Sequence, residues 1–501
     1  MGSLGVYPTS GVGAGGDTGI SLDYFITCSP MGKLKPNRCS ERSYVMGAIS
    51  MFTKNIVEVG YDSLPVNVVA ETKKQILDTL GVALAGSMSK NIRQTMDLVK
   101  DWGGKEESTI LGYGGKVPCT NAALINGWSA SVLDFDDFHD VDFIHTSREV
   151  VPATLAVAER KKAVNGKDFM VAIVLGADLA YRMARAALVH RESGYLTVPN
   201  FFGVAAAASK ILGLDEEKIR NALGIALMRI SGEGYGIREG LNTKGLDNGL
   251  QAQAGILAAL MAEKDLQGSG DPIEGEGFGF YAMYHRNLYI PSLLTVDLGK
   301  VFENVNVSQK PYPCCRFNQS AISAALALVN EHDIKPDDVV EVIVRHGPIA
   351  VTLVEPEEVK RKPQNDIRTQ HSLFWSVASA IVHRKLGIEH FTEDAIRDKK
   401  VLEMTDKIVP KLTPELTQIP FAEPAIVEIK IKNGKVYSKR VDIAPGDPKD
   451  PMSFDKIAEK FRYCCGFSAK PISKENQEKA IKMIEKLEEV TDVSQIASLL
   501  G

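Results

Sequence analysis

Apolar side chains recur every three or four residues after Pro65, and this spacing predicts a helix with one buried face. Pro65 suits the first turn, because proline fixes φ and its missing N–H would have no partner there. The repeating apolar positions are Val69, Ile76, Leu77, Leu80 and Leu84. Gly86 is the predicted end of this helix.

Similar patterns, many of them rich in alanine, predict a series of further helices. They cover residues 121–137, 152–162, 166–189, 204–212, 218–230 and 251–263. Runs such as Ala205 to Ala208 allow helices to approach closely, and alanine has the best helix propensity of all residues. Residues 51–294 are therefore predicted to form a helical domain.

The pattern changes after residue 294 and becomes mixed. Residues 339–344 are β-branched except for Glu341 and predict a strand, and residues 425–432 alternate apolar with charged positions. Asn433-Gly434 follows, and then Val436 and Val441, which predicts a hairpin with a two-residue turn. Helical patterns at 320–331 and 369–386 complete a smaller α+β domain, predicted over residues 295–446.

Both ends of the chain add to this picture. Residues 454–463 and 474–489 return to helical spacing, with Ser473 as a predicted cap of the second helix. We expect residues 447–501 to pack back on the first domain, so the fold class is mostly α. Residues 1–50 show no apolar period, hold seven glycines within their first twenty positions, and are expected to be a disordered extension.

Composition excludes several functional classes. The chain has 501 residues and a net charge of −5, which argues against binding nucleic acid. No run of apolar residues reaches the length of a membrane span, so no membrane segment is predicted. Seven cysteines in such a chain do not form a disulfide framework. Free thiols in a reducing cytosol are the expected state, which predicts a cytoplasmic location.

Acids and histidines are concentrated between residues 134 and 145. Asp134 and Asp137 lie three residues apart at the end of a predicted helix, so they are expected to share a face. Carboxylates held close together raise one another's pKa, which provides a proton carrier near neutral pH. His139 and His145 lie in the same segment. Helix capping or ion pairing is the ordinary alternative, and a metal site is a less favoured one, because tight ligand spacing is missing.

Two segments supply cations. Lys244 follows a glycine-rich turn, and a buried lysine there would neutralise a substrate carboxylate or donate a proton, whereas most lysines are simply solvated. Lys310, Tyr312 and Arg316 lie in a loop that two prolines stiffen, which would suit an anion. A rigid connection between domains is the alternative for that loop. His371 is interpreted as a core residue of an apolar helix.

Six motifs in this order resemble the MmgE/PrpD family over residues 63–487. They are Ile110-Leu111-Gly112-Tyr113-Gly114, Ala122-Ala123-Leu124-Ile125-Asn126-Gly127, Leu133-Asp134-Phe135-Asp136-Asp137, Thr243-Lys244-Gly245-Leu246, Gly277-Phe278-Gly279-Phe280-Tyr281 and Lys310-Pro311-Tyr312-Pro313-Cys314-Cys315. The resemblance implies a homodimer whose subunits carry a large helical domain and a smaller α+β lid. It implies no metal and no organic cofactor.

The resemblance also implies a pocket for small di- and tricarboxylates. By position, that pocket is lined by Asp134, Asp137, His145, Lys244 and Lys310. Several positions depart from the polar residues that decarboxylases and other members of the family carry. These positions are Ser131, Phe138, Thr197, Gln319 and Trp375. The departures favour a less charged substrate.

The sequence therefore predicts a cofactor-independent lyase that removes a proton alpha to a carboxylate. Asp134, Asp137, His145 and Lys244 are the predicted catalytic residues. The predicted substrate-binding residues are Lys310, His139, Tyr312 and Arg316. Loss of water is favoured over loss of carbon dioxide. An isomerase or epimerase that uses the same proton abstraction is one alternative, and a catalytically degenerate dimer that only binds a carboxylate is another.

Overall fold

The computed structural model describes residues 47–188, 197–232, 236, 239–416 and 423–501. The predicted extension over residues 1–50 lies outside this part, except for Gly47 and the start of a helix at Ala48.

Helices rich in small residues form the larger of two hydrophobic cores. The helices from the first half of the chain are Ala48–Glu58, Val66–Gly86, Lys90–Trp102, Cys119–Ser131, Ser147–Lys161, Gly166–Ala186, Pro199–Leu212, Glu216–Arg229, Thr243–Glu263, Phe280–His285 and Ser292–Thr295. Three helices from the end of the chain, Phe454–Cys465, Lys474–Glu485 and Ser494–Leu500, bury Phe461, Ile484 and Leu500 in the same core. Helices that begin at Ala48 and helices from the last fifty residues thus build one core.

The second core lies between four strands and the helices beside them. The strand order is Ile408–Leu412, Val339–His346, Ala425–Ile431 and Val436–Val441, with the first pair parallel and the others antiparallel. The helices of this region are Gln319–Glu331, Glu357–Arg361, Asp366–Gln370, Leu373–His383 and Lys399–Thr405. The mostly α fold class is confirmed. The domain boundaries 51–294 with 447–501, and 295–446, stay proposals.

The hairpin at Asn433 forms, but its loop differs from the prediction. Lys430 pairs with Val436, and the Ile431 N–H donates to the Lys435 carbonyl at 3.0 Å, so residues 432–434 make a three-residue loop. Gly434 takes a φ of +86°, a conformation that glycine adopts without steric cost. The predicted two-residue turn is therefore wrong by one residue.

The helix that carries Lys244 packs at unusually short range against the helix that precedes Asp134. A Cβ built on Gly249 of the helix Thr243–Glu263 would lie 2.4 Å from the Leu124 carbonyl oxygen, and one on Gly245 would lie 2.4 Å from Trp128 Nε1. Only glycine permits this contact, which brings the start of one helix against the end of Cys119–Ser131. Among the described residues, no helix combines the length and apolarity needed to cross a bilayer.

We expect Gly249→Ala to lower the midpoint of thermal unfolding, although alanine normally stabilises a helix interior relative to glycine. The reason is the backbone carbonyl of Leu124, which cannot move aside as a flexible side chain would. Gly60→Ala is the control, because nothing lies within 4 Å of a Cβ at Gly60. An unchanged or raised midpoint for Gly249→Ala would contradict this account of the helix contact.

Candidate active site

The acidic segment leaves its helix earlier than predicted. The helix ends at Ser131, and Asp134 lies beyond it with a φ of +50°, a left-handed conformation that aspartate tolerates better than most residues. Phe138–His139 then pairs antiparallel with Val307–Ser308. Asp134 and Asp137 are therefore not neighbours on a helix face, and that part of the prediction is wrong.

Asp134 lies between two lysine side chains that come from distant parts of the sequence. Its Oδ1 is 3.1 Å from Lys244 Nζ and 3.5 Å from Lys310 Nζ. Lys310 Nζ also donates to the Asp134 carbonyl at 2.8 Å. His371 completes the group, with Nε2 3.3 Å from Lys244 Nζ and 3.6 Å from Asp134 Oδ2. These contacts bring together the two predicted lysines and one predicted acid.

Burial and neighbouring charge together set the pKa values of Asp134 and His371. Burial alone would raise the pKa of Asp134, but the ammonium groups of Lys244 and Lys310 outweigh it and hold that pKa well below its usual value. Burial, reinforced by the Lys244 charge, lowers the pKa of His371 to about 3. At neutral pH Asp134 is thus a fixed anion and His371 a neutral imidazole.

Lys244 and His371 owe their positions to features that the sequence pattern did not reveal. The helix Thr243–Glu263 begins eight residues before the predicted start, so Lys244 lies in its first turn. The predicted helix 369–386 is interrupted at His371, because the Ser372 hydroxyl accepts from the Trp375 N–H at 2.9 Å and starts a new helix. The Ser372 cap was the one sequence signal for this break.

His145 is oriented by an acid outside the predicted set. Its Nδ1 is 2.6 Å from Asp136 Oδ2 and 2.6 Å from the Asp137 carbonyl oxygen. Both partners are acceptors, so Nδ1 carries the proton and Nε2 keeps its lone pair. Arg148 Nη1 contacts the same Asp136 oxygen at 3.1 Å. Burial lowers the pKa of His145 to about 4, with partial opposition from Asp136.

Asp137 belongs to a different set of contacts. The Ser147 hydroxyl donates to Asp137 Oδ2 at 2.5 Å. Burial raises the pKa of Asp137 to about 7, and the charges of Asp78 and Asp136 add to the rise against the Ser147 hydrogen bond. The predicted near-neutral acid therefore exists, but its cause is burial and not a dyad with Asp134.

Three predicted substrate-binding residues have their contacts elsewhere. Arg316 is buried, with Nε 2.9 Å from Asp140 Oδ1 and Nη2 3.1 Å from Asp447 Oδ2. His139 is fully buried, accepts the Asp142 N–H at Nδ1 over 3.1 Å, and lies against the Tyr181 ring. The Tyr312 ring packs against the second core. Lys310 alone of the four joins the group around Asp134.

Two groups of side chains have the donor types of a metal site. They are Asp134, Cys315 and His371, and His139, Asp142 and Glu303; within each group the ligand atoms lie within 4.8 Å of one another. In the first group the Lys244 ammonium contacts both Asp134 and His371. In the second, Arg185 contacts both Asp142 and Glu303. Cations of the protein thus already contact the acids of both groups.

The arrangement supports two chemical functions, charge stabilisation and proton transfer. Lys244 gives positive charge in the first turn of a long helix, where backbone N–H groups also favour an anion. His145 gives a neutral imidazole whose side chain remains 17% exposed. Asp134 is close enough to His145 for their charges to interact. Charge stabilisation and proton transfer at one carbon atom are the chemistry that these groups support.

Comparison with known proteins identifies the family of this chain. The MmgE/PrpD N-terminal domain model matches residues 50–288, and the MmgE/PrpD C-terminal domain model matches residues 312–489. The chain is 29% identical to the cis-aconitate decarboxylase of Homo sapiens over 454 residues, which cover 86% of this chain and 90% of that protein. It is 27% identical to the Mus musculus cis-aconitate decarboxylase over 453 residues, 86% and 89% of the two chains. A cis-aconitate decarboxylase-like protein of Aspergillus oryzae is 25% identical over 471 residues, 89% and 95% of the two chains.

The buried acids should respond to pH in opposite ways. Because the pKa of Asp137 is raised to about 7, the folded state holds its proton more tightly than the unfolded state, and this contribution to stability is lost as pH rises from about 4 to 7. The variant Asp137→Asn does not lose stability in this way, because an amide does not titrate. We expect its thermal midpoint, relative to the unmodified protein, to rise between pH 5 and pH 7.5, as measured by circular dichroism.

Asp136→Asn is the matched control with the opposite sign. Burial alone would raise the pKa of Asp136, but His145 and Arg148 outweigh it and lower that pKa, so the folded state favours the charged form. Removing the charge should therefore lower the midpoint most at neutral pH and least in acid. Parallel pH curves for the two variants would show that the two acids do not differ as described.

Proposed function

Because this chain belongs to the MmgE/PrpD family, we propose that it is a lyase that acts on a small carboxylate and transfers a proton at a carbon beside it. The observation that carries the proposal is the Asp134 carboxylate between the ammonium groups of Lys244 and Lys310, with the His145 imidazole nearby. These groups match the needs of a carbanion alpha to a carboxylate: positive charge for the anion and a group that exchanges its proton.

Lys244 is the proposed contact of the retained substrate carboxylate. Its side chain is 9% exposed, whereas the side chain of Lys310 is completely buried. Lys310 therefore acts by fixing Asp134 through the carboxylate and the backbone carbonyl. In this proposal Asp134 is not a proton donor, because the two lysines keep it ionised.

His145 is the proposed proton carrier. The Asp136 carboxylate accepts the Nδ1–H of His145 and stabilises the imidazolium when it forms. Nε2 is then the ring nitrogen that exchanges a proton with the substrate. An arriving anionic substrate favours the protonated ring, since opposite charge raises the pKa of an imidazole. Nε2–H then delivers its proton to the substrate carbon.

Loss of carbon dioxide is the reaction we propose. The C–C bond to one carboxylate breaks, its electron pair stays on the substrate carbon under the charge of Lys244, and the carbon takes the proton from His145. In the predicted loss of water, either His145 or an acid of the Asp134 and Asp137 pair takes the alpha proton, and the other partner protonates the leaving hydroxyl. The two lysines keep Asp134 ionised, so Asp134 is not that proton donor, and one of the two candidate acids is removed. The relatives are named as decarboxylases, which also favours loss of carbon dioxide.

The homodimer, the independence from metals and cofactors, and the cytoplasmic location stay predictions. The substrate class of small carboxylates rests on the lysine pair and on the names of the relatives.

We expect Lys244→Ala and His145→Asn each to reduce kcat by roughly 10²- to 10⁴-fold. Asparagine keeps a donor where Nδ1 lies but has no counterpart of Nε2, so the contact with Asp136 is retained while proton transfer is lost. Lys479→Ala, which removes a lysine whose side chain is 57% exposed and pairs with Glu475, is the control and should keep full activity. Full activity in either site variant, with the fold intact by circular dichroism, would refute the assigned roles.

A panel of unsaturated, hydroxy- and amino-di- and tricarboxylates, cis-aconitate included, identifies the reaction. Proton NMR in deuterated water, with carbon dioxide collected from the same samples, should show release of carbon dioxide and one deuteron on the product carbon. Loss of water would establish a hydro-lyase, and exchange of the alpha proton alone would establish an isomerase. Thermal stabilisation by an acid without any conversion would leave a carboxylate-binding protein.

A further inference from the structure

Lys460 is a buried lysine that contacts the backbone of the candidate active site from a distant part of the chain. It lies on the helix Phe454–Cys465. Its Nζ donates to the Phe135 carbonyl at 2.8 Å and to the Lys310 carbonyl at 2.9 Å, and lies 2.7 Å from Asp78 Oδ1. An ammonium group has three N–H donors, and these three oxygen atoms match them in number.

The two carbonyls belong to the two segments that meet at Asp134. Phe135 lies between Asp134 and Asp136 in the chain. The side chain of Asp134 contacts the two site lysines, of which Lys310 is one, and the side chain of Asp136 contacts His145. One ammonium group therefore joins the backbone of the acidic segment to the backbone of the loop that carries its counter-charge.

The helices that carry Lys460 and Asp78 pack closely against each other. A Cβ built on Gly81 of the helix Val66–Gly86 would lie 3.1 Å from Phe461 Cδ2 and 3.2 Å from Phe461 Cα. Asp78 lies on the same helix and is buried. The ion pair is thus fixed in the larger core, and the contacts of the ammonium group with the site start from a rigid support.

From these contacts we infer that Lys460 is a positioning residue: it holds the backbones of Phe135 and Lys310 together and thereby places the two carboxylates that flank Phe135. The inference rests on the proposed function, because these carboxylates are the partners of the groups proposed to hold the substrate and to carry its proton. Without the ammonium group, two carbonyls lose a donor and the acidic segment loses its link to the loop. A displacement of about 1 Å in an active site reduces the rate by about 10²-fold.

The variant Lys460→Met removes the ammonium group and keeps an unbranched chain. It also leaves the Asp78 carboxylate buried without the Lys460 charge, so the double variant Lys460→Met with Asp78→Asn is made in parallel. Lys74→Met is the matched control, because Lys74 and Lys460 are each 7% exposed. Lys74 Nζ donates to the Met452 carbonyl at 3.0 Å and lies 2.6 Å from Glu71 Oε1, and both partners are outside the acidic segment and the loop.

The tautomer of the His145 ring is a readout that does not depend on turnover. Nitrogen-15 NMR of histidine-labelled protein at neutral pH, assigned with His145→Asn, should show the proton on Nδ1 in the unmodified protein. The reason is that Nδ1 faces two acceptors, Asp136 Oδ2 and the Asp137 carbonyl. Both acceptors belong to the segment that Lys460 holds, so both Lys460 variants should gain the Nε2–H form, whereas Lys74→Met should not.

Turnover is measured in the same proteins with the acid that the substrate panel shows to be converted. We expect kcat of both Lys460 variants to fall by about 10²-fold, with a smaller change in KM. Lys74→Met should keep its kcat even where its midpoint of thermal unfolding falls.

The outcomes separate the inference from the proposed function. An unchanged tautomer in a folded Lys460 variant overturns the inference and leaves the proposed function standing. Equal changes in Lys74→Met, or failure of both Lys460 variants to fold, also overturn the inference, since Lys460 would then act on stability alone. A tautomer shift in a protein that converts no acid supports the positioning role and overturns the proposed function. A shift without any loss of kcat overturns the role of His145, and a proton on Nε2 in the unmodified protein overturns both.

Discussion

The carboxylate of Asp134, held between two buried ammonium groups, is the interaction on which the site depends. A buried charge is costly unless it is paired, and here each charge compensates the others. The Lys310 side chain has no exposed surface, so its ammonium group and the Asp134 carboxylate each offset the cost of burying the other's charge. Lys244 reaches the same carboxylate from the start of another helix. The group therefore ties the acidic segment, the helix Thr243–Glu263 and the loop of Lys310 into one fixed geometry.

The same balance between burial and neighbouring charge sets the ionisation of Asp136 and Asp137, with different results. Asp136 is paired with His145 and Arg148 and stays ionised, whereas Asp137 has a hydroxyl partner and burial raises its pKa to about 7. Adjacent aspartates thus differ because the charges of His145 and Arg148 outweigh burial at Asp136, whereas at Asp137 burial outweighs the Ser147 hydrogen bond and the charge of Lys460. The contact with Asp136 orients the imidazole of His145, which supports the proposal that His145 exchanges protons with a substrate.

Specificity follows from what remains after the charges have paired. The Phe138 ring lies beside His145, and the guanidinium groups of Arg185 and Arg316 are engaged with carboxylates. Lys244 and Lys310 share the single carboxylate of Asp134, so one positive charge of this group is left for a substrate. In the proposed function, that charge holds the retained carboxylate.

Periodicity and turn chemistry predicted most of the helices, the existence of the hairpin and the residue types of the site, because these patterns act over a few neighbouring positions, but they misplaced several helix ends and the hairpin loop. It pointed to Asp134, His145, Lys244 and Lys310 by motif. Only the tertiary structure showed that Asp134 turns away from Asp137 and that His371 lies at a helix break beside Lys244. A side chain's partner depends on which distant segments pack against it, and on how burial and neighbouring charge balance there, and no local pattern carries that information.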